Sequence, residues 1–239
     1  MGEHELQTLM RELLRPLLAR FLASRERVAH AGSDQFIYWK RGDVKACVAP
    51  DLYVLPEIRQ ERVIRSWKTW EEHGIVPSLA VEIVTTDVAK DYEEAPELYR
   101  ALGVRELVIY DPKIEAAPRR IKRWRFQIYR RTPRGFVRVL ASDVDRVRSH
   151  VLGAWLRVTG EGMERRLRIA TGLRGETLFL TGEEAERQQA ALERDRAAAE
   201  RERAEVERER AAAERDRADR LEEALREALA KSTRRRRPR

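Results

Sequence analysis

Two apolar runs each carry a carboxylate where a β-strand would bury it. The first reads Ala46-Cys47-Val48-Ala49-Pro50-Asp51-Leu52-Tyr53-Val54-Leu55, and the second Leu79-Ala80-Val81-Glu82-Ile83-Val84. Short runs like these, apolar or β-branched and bounded by Pro, Gly or charge, predict strands of a buried sheet. A carboxylate inside such a strand is costly to bury without a compensating cation. Asp51 alone also reads as a turn or strand-end carboxylate, because Pro50 precedes it. Glu82 has apolar neighbours on both sides. Two such carboxylates on neighbouring strands could share one divalent metal, the arrangement of a metal-dependent hydrolase. Hard oxygen ligands suit Mg²⁺ or Mn²⁺. The four histidines (His4, His30, His73, His150) are scattered and fit no ligand spacing.

The rest of the chain must supply the layers around that sheet. Leu6, Leu9, Met10, Leu13, Leu14, Leu17, Leu18 and Phe21 recur at helical spacing and predict an amphipathic core helix, kinked or restarted at Pro16. Arg11, Glu12, Arg15 and Arg20 interrupt it, so it is neither a signal peptide nor a membrane span. Residues 35–39 predict a strand, 61–72 a helix carrying Trp67 and Trp70, and 89–102 a second helix that is broken at Pro96 or begins there. Gly103 then serves as its C-terminal glycine. Residues 105–110 read as a further strand, and 121–130, 135–140 and 167–173 as short antiparallel strands. This order predicts an α/β or α+β layer fold with a mixed sheet. Trp67 and Trp70, three residues apart, read as packing aromatics before base-stacking ones.

Charge divides the chain. Charged residues make up 38% of it and the formal net charge is +8, too many charges for one compact domain. Residues 181–239 hold 17 Lys+Arg against 16 Asp+Glu, so the excess lies in residues 1–180, with 32 against 25. A basic globular part followed by the basic end Arg234–Arg239 suits a polyanion partner. From residue 183 to about 231 Gly and Pro vanish, and a seven-residue repeat (Glu193-Arg194-Asp195-Arg196-Ala197 and its successors) predicts a helix about 70 Å long. Arg196–Glu200, Arg203–Glu207 and Arg210–Glu214 are its expected i,i+4 ion pairs. Its apolar ridge is nearly all alanine and makes no a/d seam, so it reads as a solvated helix, with a weak coiled coil and a homo-oligomer as the alternative. The expected division is 1–182 globular domain, 183–231 charged helix, 232–239 basic tail. The single cysteine, Cys47, excludes an intrachain disulfide and reads as a small buried hydrophobe. A soluble, cytoplasmic protein is expected.

Four blocks in series carry a resemblance: Asp34-Gln35-Phe36-Ile37-Tyr38-Trp39, Ala49-Pro50-Asp51-Leu52-Tyr53-Val54, Leu79-Ala80-Val81-Glu82-Ile83-Val84, and the stretch from Lys90-Asp91-Tyr92 through Leu98-Tyr99 and Gly103-Val104-Arg105-Glu106-Leu107 to Tyr110-Asp111-Pro112. Spanning roughly residues 30–115, they resemble the PD-(D/E)XK nuclease superfamily and, within it, the bacterial Uma-two family of candidate endonucleases. The resemblance implies a restriction-endonuclease-like mixed sheet flanked by helices, followed here by the long charged C-terminal helix, and Mg²⁺-dependent hydrolysis of phosphodiester bonds in DNA. It implies that Asp51 and Glu82 hold one or two ions that polarise the phosphate and lower the pKa of an attacking water. A lysine would orient that water or stabilise charge on the phosphate. The superfamily's lysine position is Val84 here, and the position to which the family displaces it is Ala95. Lys90 is the nearest substitute, with a solvated surface lysine as its other reading. Asp91 and Glu94 would support the ligands or serve the helix dipole. A catalytically degenerate nucleic-acid-binding or scaffold protein is the alternative.

Overall fold

The computed structural model describes residues 3–85, 90–114 and 123–235. It divides into two compact units, Met1–Thr181 and Gly182–Arg239.

The first unit is a mixed α/β structure. Its strands are β1 (Ala29–Gly32), β2 (Phe36–Tyr38), β3 (Cys47–Val48), β4 (Leu52–Pro56), β5 (Ser66–Lys68), β6 (Leu79–Ile83), β7 (Glu106–Tyr110), β8 (Phe126–Thr132), β9 (Gly135–Ser142), β10 (Arg146–Ser149), β11 (Ala154–Thr159), β12 (Arg166–Thr171) and β13 (Thr177–Leu178). The central sheet has the order β1-β4-β6-β7-β8-β9. Its β6–β7 pair is parallel, and every other pair is antiparallel. Smaller sheets, β3-β2-β5 and β10-β11-β12-β13, complete the layers.

Strand alternation divides the core in two. Leu52 and Val54 of β4, with Leu79, Val81 and Ile83 of β6, face a core closed by α1 (Glu3–Ser24) and the β10–β12 side chains. Tyr53, Leu55 and Ala80 face the other way, against α2 (Ala95–Leu102) and the β2–β3 sheet. Because side chains alternate with period two, Asp51 and Glu82 fall on this second face. Gly32 belongs to the same packing: a Cβ there would lie 2.2 Å from Cζ of Tyr53, so only glycine lets the ring seat.

Five expectations are corrected or sharpened. Helix α1 runs through Pro16 without restarting, because Leu14 before it and Leu17, Leu18 and Phe21 after it are buried in one core, which offsets the lost hydrogen bond. The run 46–55 is not one strand; Ala49-Pro50-Asp51 separates β3 from β4, which lie in different sheets. Residues 61–72 form no α-helix. Ser66–Lys68 pairs in parallel with β2, a 3-10 turn covers Thr69–Glu71, and Trp67 is buried with its Nε1 donating to the Ile75 carbonyl at 2.8 Å. Cys47 is only half-buried. The expected helix over 89–102 is a π-helical turn, Lys90–Glu94, followed by α2, with Pro96 in its first turn and Gly103 closing it at φ 97°; Ala89, Ile121 and Lys122 lie outside the described residues.

The second unit is one helix, α3 (Gly182–Arg235). Its ion pairs differ from those expected. Glu183–Arg187, Asp216–Arg220 and Glu222–Arg226 close, whereas Arg196–Glu200 and its repeats do not among the described residues. Acid preceding base is the favoured i,i+4 orientation on a helix, and the expected pairs had the reverse order. Leu192, Val206, Leu221 and Leu225 are all exposed. No helix among the described residues is long and apolar enough to cross a membrane.

Candidate metal centre

Register brings the two carboxylates together. Leu52 of β4 pairs with Val81 of β6, so Asp51, one residue before, is set beside Glu82, one residue after. Asp51 is 3% exposed. Its Oδ2 accepts the main-chain N–H of Ile83 at 2.7 Å, and its Oδ1 accepts from Nε2 of Gln7 at 2.6 Å. Nη1 of Arg11, one helical turn along α1 from Gln7, lies 3.7 Å from Asp51 and 3.0 Å from Asp34. Asp34 is held at a φ of 58°, its N–H donating to the Pro50 carbonyl at 2.8 Å.

Glu82 is partly exposed at the wall of a cavity of about 540 Å³ that Asp51, Lys90, Asp91 and Ala95 also line. Its Oε1 accepts a short hydrogen bond from the Tyr99 phenol, which α2 carries fully buried beneath it. Burial, and then the negative charge of Asp51, push the Glu82 carboxyl well above its ordinary range. Burial likewise raises Asp51, against the hydrogen bonds from Gln7 and Ile83 and the charge of Arg11. The two titrate as a pair, and each is more acidic when the other holds a proton. Burial and the same two acids push the Tyr99 phenol well up, so it stays a donor.

This donor set fits a hard divalent ion. Two oxygen ligands whose ionised forms repel each other are what such an ion would relieve. Among the described residues no group of three or more His, Cys, Asp or Glu side chains could hold a metal ion, so any ion would keep water or substrate oxygens, as Mg²⁺ habitually does. Asp51 and Glu82 are the residues that would hold it.

Lys90 opens the π-helical turn and is exposed at the cavity, where its charge favours the ionised form of Glu82. Asp91 is buried beside it, accepting from the Thr85 N–H at 3.1 Å. Glu94 is exposed and does not line the cavity. Val84 is buried in the second core, and Ala95 presents a methyl group to the cavity. Gln7, Arg11 and Tyr99 complete the site without having been singled out by sequence. Only the four-residue spacing of Gln7 and Arg11 on α1, and the position of Tyr99 on the helical stretch after Glu82, hinted at them.

The turn that carries Lys90 is pinned from behind. The Tyr92 phenol donates to Oδ2 of Asp111 at 2.8 Å, and Asp111, fully buried, takes a bidentate pair from Arg123 at 2.6 and 2.7 Å. A carboxylate and a guanidinium held this way form a strong, directional link.

Comparison with curated proteins yields no match. Among solved structures, the chain is similar to a crystal structure described as "a putative nuclease belonging to DUF820 from Anabaena variabilis ATCC 29413", at 14% identity and a TM-score of 0.40, covering 64% of this chain and 75% of that one. Residues 1–158 match the family model "Uma2: Putative restriction endonuclease". The chain therefore belongs to the Uma2 family of restriction-endonuclease-like proteins.

Proposed function

We propose that the chain is a divalent-metal-dependent endodeoxyribonuclease, with Asp51 and Glu82 as metal ligands and Lys90 as the cation of the reaction. The observation that carries this reading is the pair of desolvated carboxylates in one solvent-connected cavity, with a lysine at its rim. Family membership supports the nuclease class; the hard-oxygen donor pair and the basic surface support Mg²⁺ or Mn²⁺ and DNA. Bound at the pair, the ion would supply Lewis acidity to the phosphate and acidify an attacking water. Hydrolysis forms one bond from water oxygen to phosphorus and breaks one P–O ester bond, the departing alkoxide taking up a proton. The Lys90 ammonium would hydrogen-bond the water or the phosphate oxygens as charge grows there. Gln7, Ile83 N–H and Tyr99 hold the carboxylate oxygens in place.

Purified protein with Mg²⁺ or Mn²⁺ should nick supercoiled plasmid, and Glu82→Ala should abolish nicking. Equal rates in that variant would sink the proposal.

A second reading is a DNA-binding member of the family that has lost efficient cleavage. The burial of Val84 and the methyl group of Ala95 at the cavity favour it, because neither position supplies a cation. Salt-sensitive DNA binding without metal-dependent nicking would select it. In either reading residues 1–182 hold the site, and the 183–231 helix with its basic tail serves solubility, assembly or loose phosphate contact.

A further inference from the structure

The acid-pair cavity is one end of a longer trough. Arg11 and Asp34 line both that cavity and a neighbouring one of about 650 Å³. Ala19 and Gln60 in turn line both this second cavity and a third of about 1170 Å³. One wall is α1. The opposite wall is the segment that follows β4, residues 57–62. That wall is fixed in place: Gln60 grips the main chain of Ala31 in β1, its Oε1 accepting the N–H at 2.7 Å and its Nε2 donating to the carbonyl at 3.2 Å. The Glu57 N–H adds a bond to the Val28 carbonyl at 2.9 Å.

Both walls carry uncompensated cations. Arg15 on α1 and Arg59 on the facing wall are exposed, and among the described residues neither side chain is hydrogen-bonded or ion-paired. Arg20 and Arg27 direct their donors at main-chain carbonyls, of Leu180 and Thr181 and of Val151, which leaves their charge unneutralised. Arg62 has a carboxylate partner in Glu72, outside the trough, and Arg11 pairs with Asp34 and Asp51 at the acid-pair end. Glu12, Glu57 and Glu61 also line it and temper the field. The charges of Arg15 and Arg62, one on each wall, reach buried His30, whose imidazole burial first and then these charges hold below the ordinary value, against main-chain hydrogen bonds at Arg59 and Gln60.

Among the described residues no aromatic side chain lines the second or third cavity, so this part of the trough offers charge without a stacking surface. Charge alone suits a phosphate backbone held without regard to sequence. From Thr8 to Ala23 the α1 wall extends about 22 Å, room for about six phosphates of one strand of a duplex.

We propose that this trough carries the sugar–phosphate backbone of duplex DNA to the Asp51/Glu82 pair, with Arg15 and Arg59 as its phosphate contacts. The proposal rests on the nuclease reading above and deepens it.

Binding of a fluorescein-labelled 24-base-pair duplex to the full chain, followed by anisotropy in EDTA at about 50–200 mM NaCl, tests it. Arg15→Gln/Arg59→Gln should bind about 10- to 100-fold more weakly at low salt, with the log–log salt slope shallower by about 2. Arg41→Gln/Arg134→Gln, which removes two exposed arginines elsewhere, should bind as the wild type does. Unchanged affinity and slope in the Arg15/Arg59 variant, or an equal loss in both variants, would overturn the trough. Wild-type hydrolysis of bis(4-nitrophenyl) phosphate with Mn²⁺ is scored separately. That substrate is too small to need the trough, so failure there counts against the acid pair and not against the backbone track.

Discussion

The Asp51 carboxylate accepts the main-chain N–H of Ile83 at 2.7 Å, one residue beyond the glutamate it faces. A side chain on the residue just before β4 is thereby tied into the backbone of β6, where the β4 ladder has ended at Leu52. Movement of one acid relative to the other would require breaking this hydrogen bond or the β4–β6 pairing beside it, so the spacing of the pair is set by the fold.

Holding two acids this way makes the metal-free protein sensitive to pH. The folded-state pKa values of Asp51 and Glu82 both lie above those of the unfolded chain. From the ordinary carboxylate range up to the raised values, the native state binds more protons than the unfolded one, so stability falls as pH rises. Glu82→Gln should flatten this dependence and stabilise the metal-free protein near pH 8 by about 1 kcal/mol or more. Thermal melts in EDTA at pH 5 and pH 8 measure it; a variant with the wild-type slope would remove the acid pair as its source.

Tyr99→Phe removes the phenol that donates to Glu82 and changes little else in the packing. The expected cost is about 1 kcal/mol of stability and a 10- to 100-fold weaker response to Mg²⁺. Chemical denaturation and a Mg²⁺ titration of nicking rate check the two effects separately. Loss of stability with an unaltered Mg²⁺ response would make Tyr99 a packing residue only.

How far this site can be read from the chain depends on what each residue's role rests upon. Asp51 and Glu82 stand out because an acid within an apolar run conflicts with its neighbours, and that conflict is local. The helix over 95–102 and the strand over 106–110 were legible for the same reason, through Pro96, Gly103 and an unbroken apolar stretch. Strand β1 is only Ala-His-Ala-Gly, with no pattern of its own, and its ladder with β4 defines it. Residues 61–72 lost their helical reading because Trp67 has a buried slot and β2 an open edge, both visible only in three dimensions. Gln7 reaches Asp51 across 44 residues of chain, and no local signal reports that.

Lys90 and Ala95 offer a direct comparison of positions. Lys90→Ala should lower the nicking rate by about 10²–10³-fold while leaving Mg²⁺ binding nearly intact, as loss of a charge-stabilising group does. Ala95→Lys would place an ammonium on the cavity wall beside Glu82 and should restore part of that loss in the Lys90→Ala background. A Lys90→Ala enzyme with full activity would show that the reaction proceeds without this lysine.

The Arg123–Asp111 pair supports the lysine-bearing turn from a distance. Arg123→Ala leaves the fully buried Asp111 carboxylate without its cation, and the expected destabilisation is about 3–5 kcal/mol. Asp111→Asn/Arg123→Gln removes both charges and should cost much less. Urea denaturation of the two variants separates the cases, and equal losses would mean the pair contributes packing rather than charge.

The central claim is that Asp51 and Glu82 together hold a divalent ion. Titration of Mn²⁺ into the full chain, with free Mn²⁺ read by electron paramagnetic resonance, tests it without recourse to activity. The wild type should take up at least one ion more tightly as pH rises from about 6 to 8, because protons compete for the same oxygens. Asp51→Asn/Glu82→Gln should take up none over that range. Equal Mn²⁺ uptake by the two proteins would contradict the account.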